Sequence, residues 1–331
     1  MAPVRYVTPV APNAATGQVA GVYAQLNREF GCHAPALTAL SPAPDLLAAT
    51  WSMLRESLLV GQASRTSREL VAIGVSLANR CPFCVDAHAV LLRATGASRL
   101  AETVAAGGVP ADPENAALLG WAKQPRSAPP FDRELTPGYA GTALAFHFLN
   151  RVVSALLTEQ LLPGRLQQRP LVRALAGRAF GKLVRRPLRP GESLPLLGNA
   201  PVVPPVWAGD TPVGTAYAAL VAAAGRGRFQ LSHEAEAVLR DTVNEWDGGH
   251  PPLDGGWLAA PLAALPEPDR PAARLALLAA LAPYRITDGD VAEWRTTGGS
   301  DADLVRLVGF GAITAVTRVE GWLSSPRPLT V

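Results

Sequence analysis

Residues 66–96 set the tightest limits on this chain, because they place two of its three cysteines, one of its five histidines and the carboxylate of Glu69 among apolar residues at helical spacing. Leu70, Ile73 and Leu77 recur on one helical face. Thr66, three residues before Glu69, has the pattern of a capping box, and this predicts a helix over about 67–78. A second helix is predicted to start at Cys81. Pro82 suits a first helical position, where its missing N–H costs nothing, and Gly96 suits the end. The result is two helices joined by a tight turn carrying Cys81-Pro82-Phe83-Cys84.

This placement has chemical consequences. With Cys81 as N-cap, Cys84 lies in the first turn, where unpaired N–H groups and the helix dipole favour an anion. Cys84 is therefore expected to be the more acidic thiol. His88 lies one turn further along the same face, within reach of the sulfur directly or through one water. Cys81 can capture a sulfenic acid on Cys84 as a disulfide. Glu69 either closes its own capping box or, if the two helices pack side by side, orients and recharges His88. A zinc site is the alternative use of the pair, with His88 as third ligand and Glu69 or water as fourth, but no second CxxC or histidine pair exists. A thioredoxin-like reading requires a preceding strand, and a helix precedes this motif.

The spacing of Glu69, Cys81-Pro82-Phe83-Cys84 and His88 resembles the signature of the alkylhydroperoxidase D branch of the carboxymuconolactone decarboxylase superfamily. The helix from Pro44-Asp45-Leu46-Leu47 through Trp51, Leu54 and Leu58 is similar to that family too, as is the segment Phe146-His147-Phe148-Leu149-Asn150-Arg151, so the likeness spans roughly residues 20–162. It implies an all-α helical bundle. It also implies that Cys84 attacks a peroxide, that Cys81 resolves it, and that Glu69 and His88 relay the proton. The expected partners are a small hydroperoxide and an external lipoyl- or thioredoxin-type dithiol, with no bound cofactor and no metal. The founding peroxidase carries a histidine between its cysteines where this chain has Phe83, so the proton relay is expected to be shorter. Decarboxylases of the superfamily are not expected to need the cysteine pair, which argues against lactone decarboxylation.

Alanine and leucine dominate while β-branched runs are scarce, which favours helices over sheet. The 331 residues suggest two units. A shift of 202 residues lays Arg93-Ala-Thr-Gly-Ala-Ser on Arg295-Thr-Thr-Gly-Gly-Ser, Ile73 on Leu275, Val75 on Leu277 and Ala78 on Ala280. The chemistry does not repeat. Glu69 falls on Pro271, Cys81 on Pro283, Cys84 on Ile286 and His88 on Asp290. The expected organisation is a catalytic unit over 1–162, a basic, Pro-rich linker over 163–211, and a degenerate repeat over 212–331 that lacks the CxxC and covers an apolar face of the first unit.

Further helices are expected over 21–31, 45–60, 98–107, 113–123 and 138–162, after an extended arm over 1–20. Eight basic residues, Arg165, Arg169, Arg173, Arg178, Lys182, Arg185, Arg186 and Arg189, fall between Pro163 and Gly191 with no acidic one. A solvated linker with a short helix is preferred there to an interaction patch. Cys32 reads as an unpaired structural thiol. His147 reads as a satisfied core histidine, or else as a residue of the substrate pocket.

A net charge of +3 without a concentrated basic, aromatic-laced face gives no warrant for nucleic-acid binding. The apolar segments near 141–162 and 274–283 are interrupted or too short for the roughly 20 residues of a membrane span. With no signal peptide apparent, the expected place is the cytoplasm, and the resemblance implies a homo-oligomer. Two other readings stay open: a non-enzymatic redox-sensing or binding protein with a switchable disulfide, and a family member acting on a lactone or a protein disulfide.

Overall fold

A computed structural model describes residues 3–124, 126–159, 170–198 and 201–324. The chain forms α1 (Gly17–Glu29), α2 (Pro35–Thr38), α3 (Pro44–Leu54), α4 (Arg65–Ala78), α5 (Pro82–Ala94), α6 (Ser98–Ala105), α7 (Pro113–Lys123) and α8 (Thr136–Leu156). It continues through α9 (Pro170–Val184), α10 (Pro212–Gly225), α11 (His233–Glu245), α12 (Ala259–Ala263), α13 (Arg270–Leu281), α14 (Asp288–Arg295) and α15 (Asp301–Ser324). Prolines open α2, α3, α5, α7 and α10, where a missing N–H is harmless. Among the described residues no strand forms; Val4 and Leu157 make one isolated bridge. The fold is all-α, as composition and resemblance led us to expect.

One continuous apolar core runs from Val7 to Val319. The nearly all-buried helix α8 lies at its centre, packed against α4 on one side and α15 on the other, while α3 packs against α10. Helices α4 and α7 approach closely at Gly74, where a Cβ would meet that of Ala122 at 2.6 Å. The arm before α1 straps the two halves together: Arg5 N–H donates to Leu156 O at 2.6 Å, and Arg295 donates to Tyr6 O at 2.6 Å. No helix among the described residues is long and apolar enough to cross a membrane.

The helices expected from the repeat occur at the shifted positions, as α13 and α14. At the position that a shift of 202 lays on His88, Asp290 closes a capping box with Thr287 and pairs with Arg274 at 2.5 Å. That is a structural use of the position.

The segment after α8 differs from the expected solvated linker. Arg165 and Arg169 lie outside the described residues, as does the 162/163 boundary. Helix α9, however, packs along α5, where Phe180 and Val184 cover Leu91 and Ala94. The return from α9 is then tied down by a buried cation. Arg55, in the π-helical turn Arg55–Leu59 after α3, is fully buried and bonds Glu29 at 2.5 Å, Glu56 at 2.7 Å and Glu192 at 3.0 Å. Glu56 in turn accepts from Gly191 N–H and the Ser193 hydroxyl. Apolar cover and a satisfied ion network turn a basic, proline-rich stretch into part of the body.

Candidate active site

The two helices of the cysteine motif form an antiparallel pair around a turn of three residues. Helix α4 is capped by Ser64, whose hydroxyl accepts from Ser67 N–H at 3.0 Å, and not by Thr66. Thr66 instead donates to the Thr95 hydroxyl at 2.9 Å, pinning the start of α4 to the end of α5. The capping box expected of Thr66 and Glu69 is therefore absent, and Glu69 is released for other partners. At the far end of α4, Cys81 N–H bonds Ser76 O at 2.9 Å and Arg80 N–H bonds Leu77 O at 3.2 Å, the two bonds of a Schellman motif. The left-handed position of that motif, usually glycine, is Arg80 with φ +54°. This turn delivers Cys81 to the N-cap of α5, with Pro82 first in the helix as expected.

Antiparallel packing brings Glu69 and His88 together. Glu69 is completely buried and its two oxygens are divided: one accepts from Arg65 at 2.7 Å, the other meets His88 Nδ1 at 2.6 Å. Burial alone would push this carboxyl up, but Arg65 and His88 together hold it below the ordinary carboxylate range. With Glu69 ionised, Nδ1 carries the proton it donates to Glu69, so the neutral His88 ring has its lone pair at Nε2. Phe146 packs edge-on against the ring, with centroids 4.5 Å apart, and fixes its plane.

Both thiols are free and buried, with their sulfurs 2.8 Å apart. Their acidity reverses the expectation. Burial opposes the Cys81 thiolate, but hydrogen bonds from Cys84, Ser154 and Asn150 outweigh it and lower the Cys81 pKa. Burial, the shared hydrogen bond and the charge of Cys81 push Cys84 well up. A helix N-terminus does not by itself ionise a thiol that lies out of water beside a second sulfur. Cys84 therefore needs a base to become a thiolate.

The two sulfurs face different spaces. Cys84 and His88 line a cavity of 310 Å³ whose other walls are apolar, among them Phe30, Phe83, Phe146 and Phe180. Cys81 lines a separate cleft of 60 Å³ together with Arg5, Arg80 and Tyr284. Cys32, the third cysteine, is exposed and lies at the edge of the larger cavity. His147 is in neither space; it lines a third cavity, and its Nε2 is buried without a hydrogen-bond partner. Among the described residues no group of three or more His, Cys, Asp or Glu side chains is placed to hold a metal ion.

Cys81 and Cys84 thus lie at the turn of the α4–α5 pair and Glu69 meets His88 further along it, with Cys84 and His88 lining one cavity. Sequence reasoning missed Arg65, although its spacing of four residues before Glu69 on one helix face was a legible signal. It also missed Asn150, an amide inside an apolar helix that donates to the Ser76 hydroxyl at 3.0 Å and favours the thiolates of both cysteines. Nothing local marked Phe180 as a cavity wall.

Comparison with known proteins identifies the family. The model of the carboxymuconolactone decarboxylase family matches residues 44–124, from α3 to the end of α7. An alkyl hydroperoxide reductase of Mycobacterium tuberculosis is 40% identical over 330 residues, covering 97% of this chain and 95% of that protein. No solved structure matches. With the matched segment carrying the whole α4–α5 motif and the identity running almost end to end, the chain belongs to the carboxymuconolactone decarboxylase superfamily, in its alkylhydroperoxidase D-like branch.

Proposed function

We propose that the protein is a thiol-dependent peroxidase that reduces organic hydroperoxides at Cys84. The observation that carries this reading is the joint exposure of Cys84 and His88 to one apolar cavity, with Glu69 held 2.6 Å behind His88 and Cys81 2.8 Å from Cys84. His88 Nε2 takes the Cys84 proton, and Glu69 steadies the resulting imidazolium. The thiolate attacks the terminal oxygen of the hydroperoxide, the O–O bond breaks, and the imidazolium returns its proton to the departing alkoxide. The products are an alcohol and a Cys84 sulfenic acid. Cys81, the more acidic partner, then attacks that sulfur; an S–S bond forms, the S–O bond breaks and water leaves. The pair has now supplied two electrons. An external dithiol of lipoyl or thioredoxin type restores both thiols by exchange, and the Cys81 cleft gives it an approach separate from the substrate cavity.

The lining of the cavity favours hydroperoxides with an apolar body over hydrogen peroxide. In this reading residues 212–331 are a degenerate repeat whose task is to cover the apolar side of α8 through α15.

The test is steady-state turnover of cumene hydroperoxide with a dithiol reductant. Cys84→Ser should abolish it, and Cys81→Ser should react once and then overoxidise at Cys84. Turnover in Cys84→Ser equal to that of the parent would overturn the proposal.

A further inference from the structure

The cavity lined by His147 is not used by this chemistry. It measures 290 Å³ and lies between the two halves of the chain. Asn79 at the end of α4, His147 and Arg151 of α8, Lys123 and Arg126 form one side. Trp246, His250, Tyr284 and Trp322 form the other.

Its polar groups are unbalanced. His147 is buried, and its Nδ1 faces two N–H donors, Asn79 Nδ2 at 3.2 Å and Arg151 Nη1 at 3.5 Å. Nδ1 must therefore be the acceptor, which places the ring proton of neutral His147 on Nε2. That N–H is the buried donor without a partner. Arg151 is buried too, yet its acceptors are all neutral: His147 Nδ1 and the carbonyls of Ala280 at 2.7 Å and His147 at 2.8 Å. Among the described residues it has no carboxylate partner. Burial without a counter-charge pushes its pKa down to about 10.

Arg126 lies 4.1 Å over the Trp322 ring with its Nε unpartnered, and Lys123 adds a third cation. Asp247 is the single acidic residue in the lining, and it already accepts from Gly249 N–H at 2.8 Å. An unmatched buried cation and an orphan donor facing one space call for an anion. The rings of Trp246 and Trp322, with centroids 5.2 Å apart and planes tilted by 44°, supply an aromatic wall beside it.

The cavity is also connected to the thiols. Asn79 donates both to His147 Nδ1 at 3.2 Å and to Asn150 Oδ1 at 3.0 Å, and the Asn150 amide in turn favours the thiolates of Cys81 and Cys84. We infer that this cavity binds a small carboxylate with a flat aromatic body, and that occupancy is relayed through Asn79 and Asn150 to the cysteine pair. The carboxylate accepts from His147 Nε2–H and neutralises Arg151. Negative charge beside the ring favours the imidazolium, whose Nδ1 then carries a proton and no longer accepts from Asn79. Asn79 must turn, and Asn150 changes its hold on the sulfurs.

The test uses the full-length reduced protein and benzoate as probe. Calorimetry, with Trp246 and Trp322 as fluorescent reporters, should show saturable 1:1 binding. Lys123→Gln and His147→Leu should each weaken it at least tenfold; circular dichroism checks that both variants are folded. Bound benzoate should change the rate of Cys81 and Cys84 alkylation by iodoacetamide, read by peptide mass, and Asn79→Ala should remove that change. No saturable binding, or phosphate binding as tightly as benzoate, overturns the site. Benzoate binding that leaves alkylation unchanged overturns the relay. Neither readout involves a hydroperoxide, so this inference stands or falls apart from the peroxidase reading.

Discussion

Replacing Glu69 by Gln separates the charge of the relay from its shape. The amide fits the same fully buried space, but one of its two ends is now an NH₂ group, where the carboxylate accepted from both Arg65 and His88. One charge-assisted hydrogen bond is lost and two donors are set facing each other. Such bonds are each worth about 1.5–3 kcal/mol. Because the Arg65 side chain keeps 15% exposure and can turn toward water, we expect a loss of about 2–3 kcal/mol, below the cost of stranding a sealed ion. The kinetic cost is larger in proportion. A positioned base contributes about 10²–10⁴-fold. Phe146 still holds the imidazole plane, so we expect the single-turnover rate of Cys84 oxidation at pH 7 to fall about 10²-fold.

The same variant has a signature in pH. The Glu69 pKa is lower folded than unfolded, so its contribution to stability is fully present above the unfolded value of about 4.3 and is lost as pH falls through the folded value. Glu69→Gln removes that titration and should flatten the acid limb of a urea-denaturation series below about pH 4.3. The assays are stopped-flow thiol oxidation and urea midpoints across pH. A folded variant whose oxidation rate stays within about threefold of the parent would refute the relay.

Two further changes test the scaffold. Arg55→Leu leaves the buried Glu29 and Glu56 facing each other without their shared cation, and should cost about 3–5 kcal/mol in urea denaturation; a change under about 1 kcal/mol would mean that these carboxylates are satisfied another way. Arg80→Gly relieves left-handed strain of about 1–2 kcal/mol and adds back about 0.5–1 kcal/mol of unfolded-chain freedom, so a net gain of about 0.5–1 kcal/mol is expected. A raised melting temperature would bear this out, and a lowered one would mean that the Arg80 side chain contributes contacts worth more than the strain.

The legible part of this protein was the local part. Apolar spacing and Pro82 set the bounds of α4 and α5 within about two residues, because these signals act within a turn or two of chain. The Glu69–His88 contact depended on how two helices pack, and its determinants, Thr66 on Thr95 and Gly74 against α7, carry no label in sequence. The acidity of the thiols is not legible locally, because the helix dipole acts within one turn whereas desolvation is set by the whole fold. The charges of α9 suggest a solvated segment, whereas Phe180 and Val184 between them hold the face that packs on Leu91 and Ala94. His147 is not a fully satisfied core residue: its Nε2 is buried without a partner, and it lines a cavity other than that of Cys84 and His88.

In the proposed cycle Cys84 is oxidised through His88 and Glu69 and then captured by Cys81. The most direct measurement is intact mass and free-thiol count on the fully reduced, metal-free protein shortly after one equivalent of an organic hydroperoxide, run beside Glu69→Gln and His88→Ala. Rapid loss of two thiols, confined to the peptide holding Cys81 and Cys84 and slowed in both variants, is the predicted result. Survival of both thiols, or their loss at equal rates in all three proteins, would contradict it.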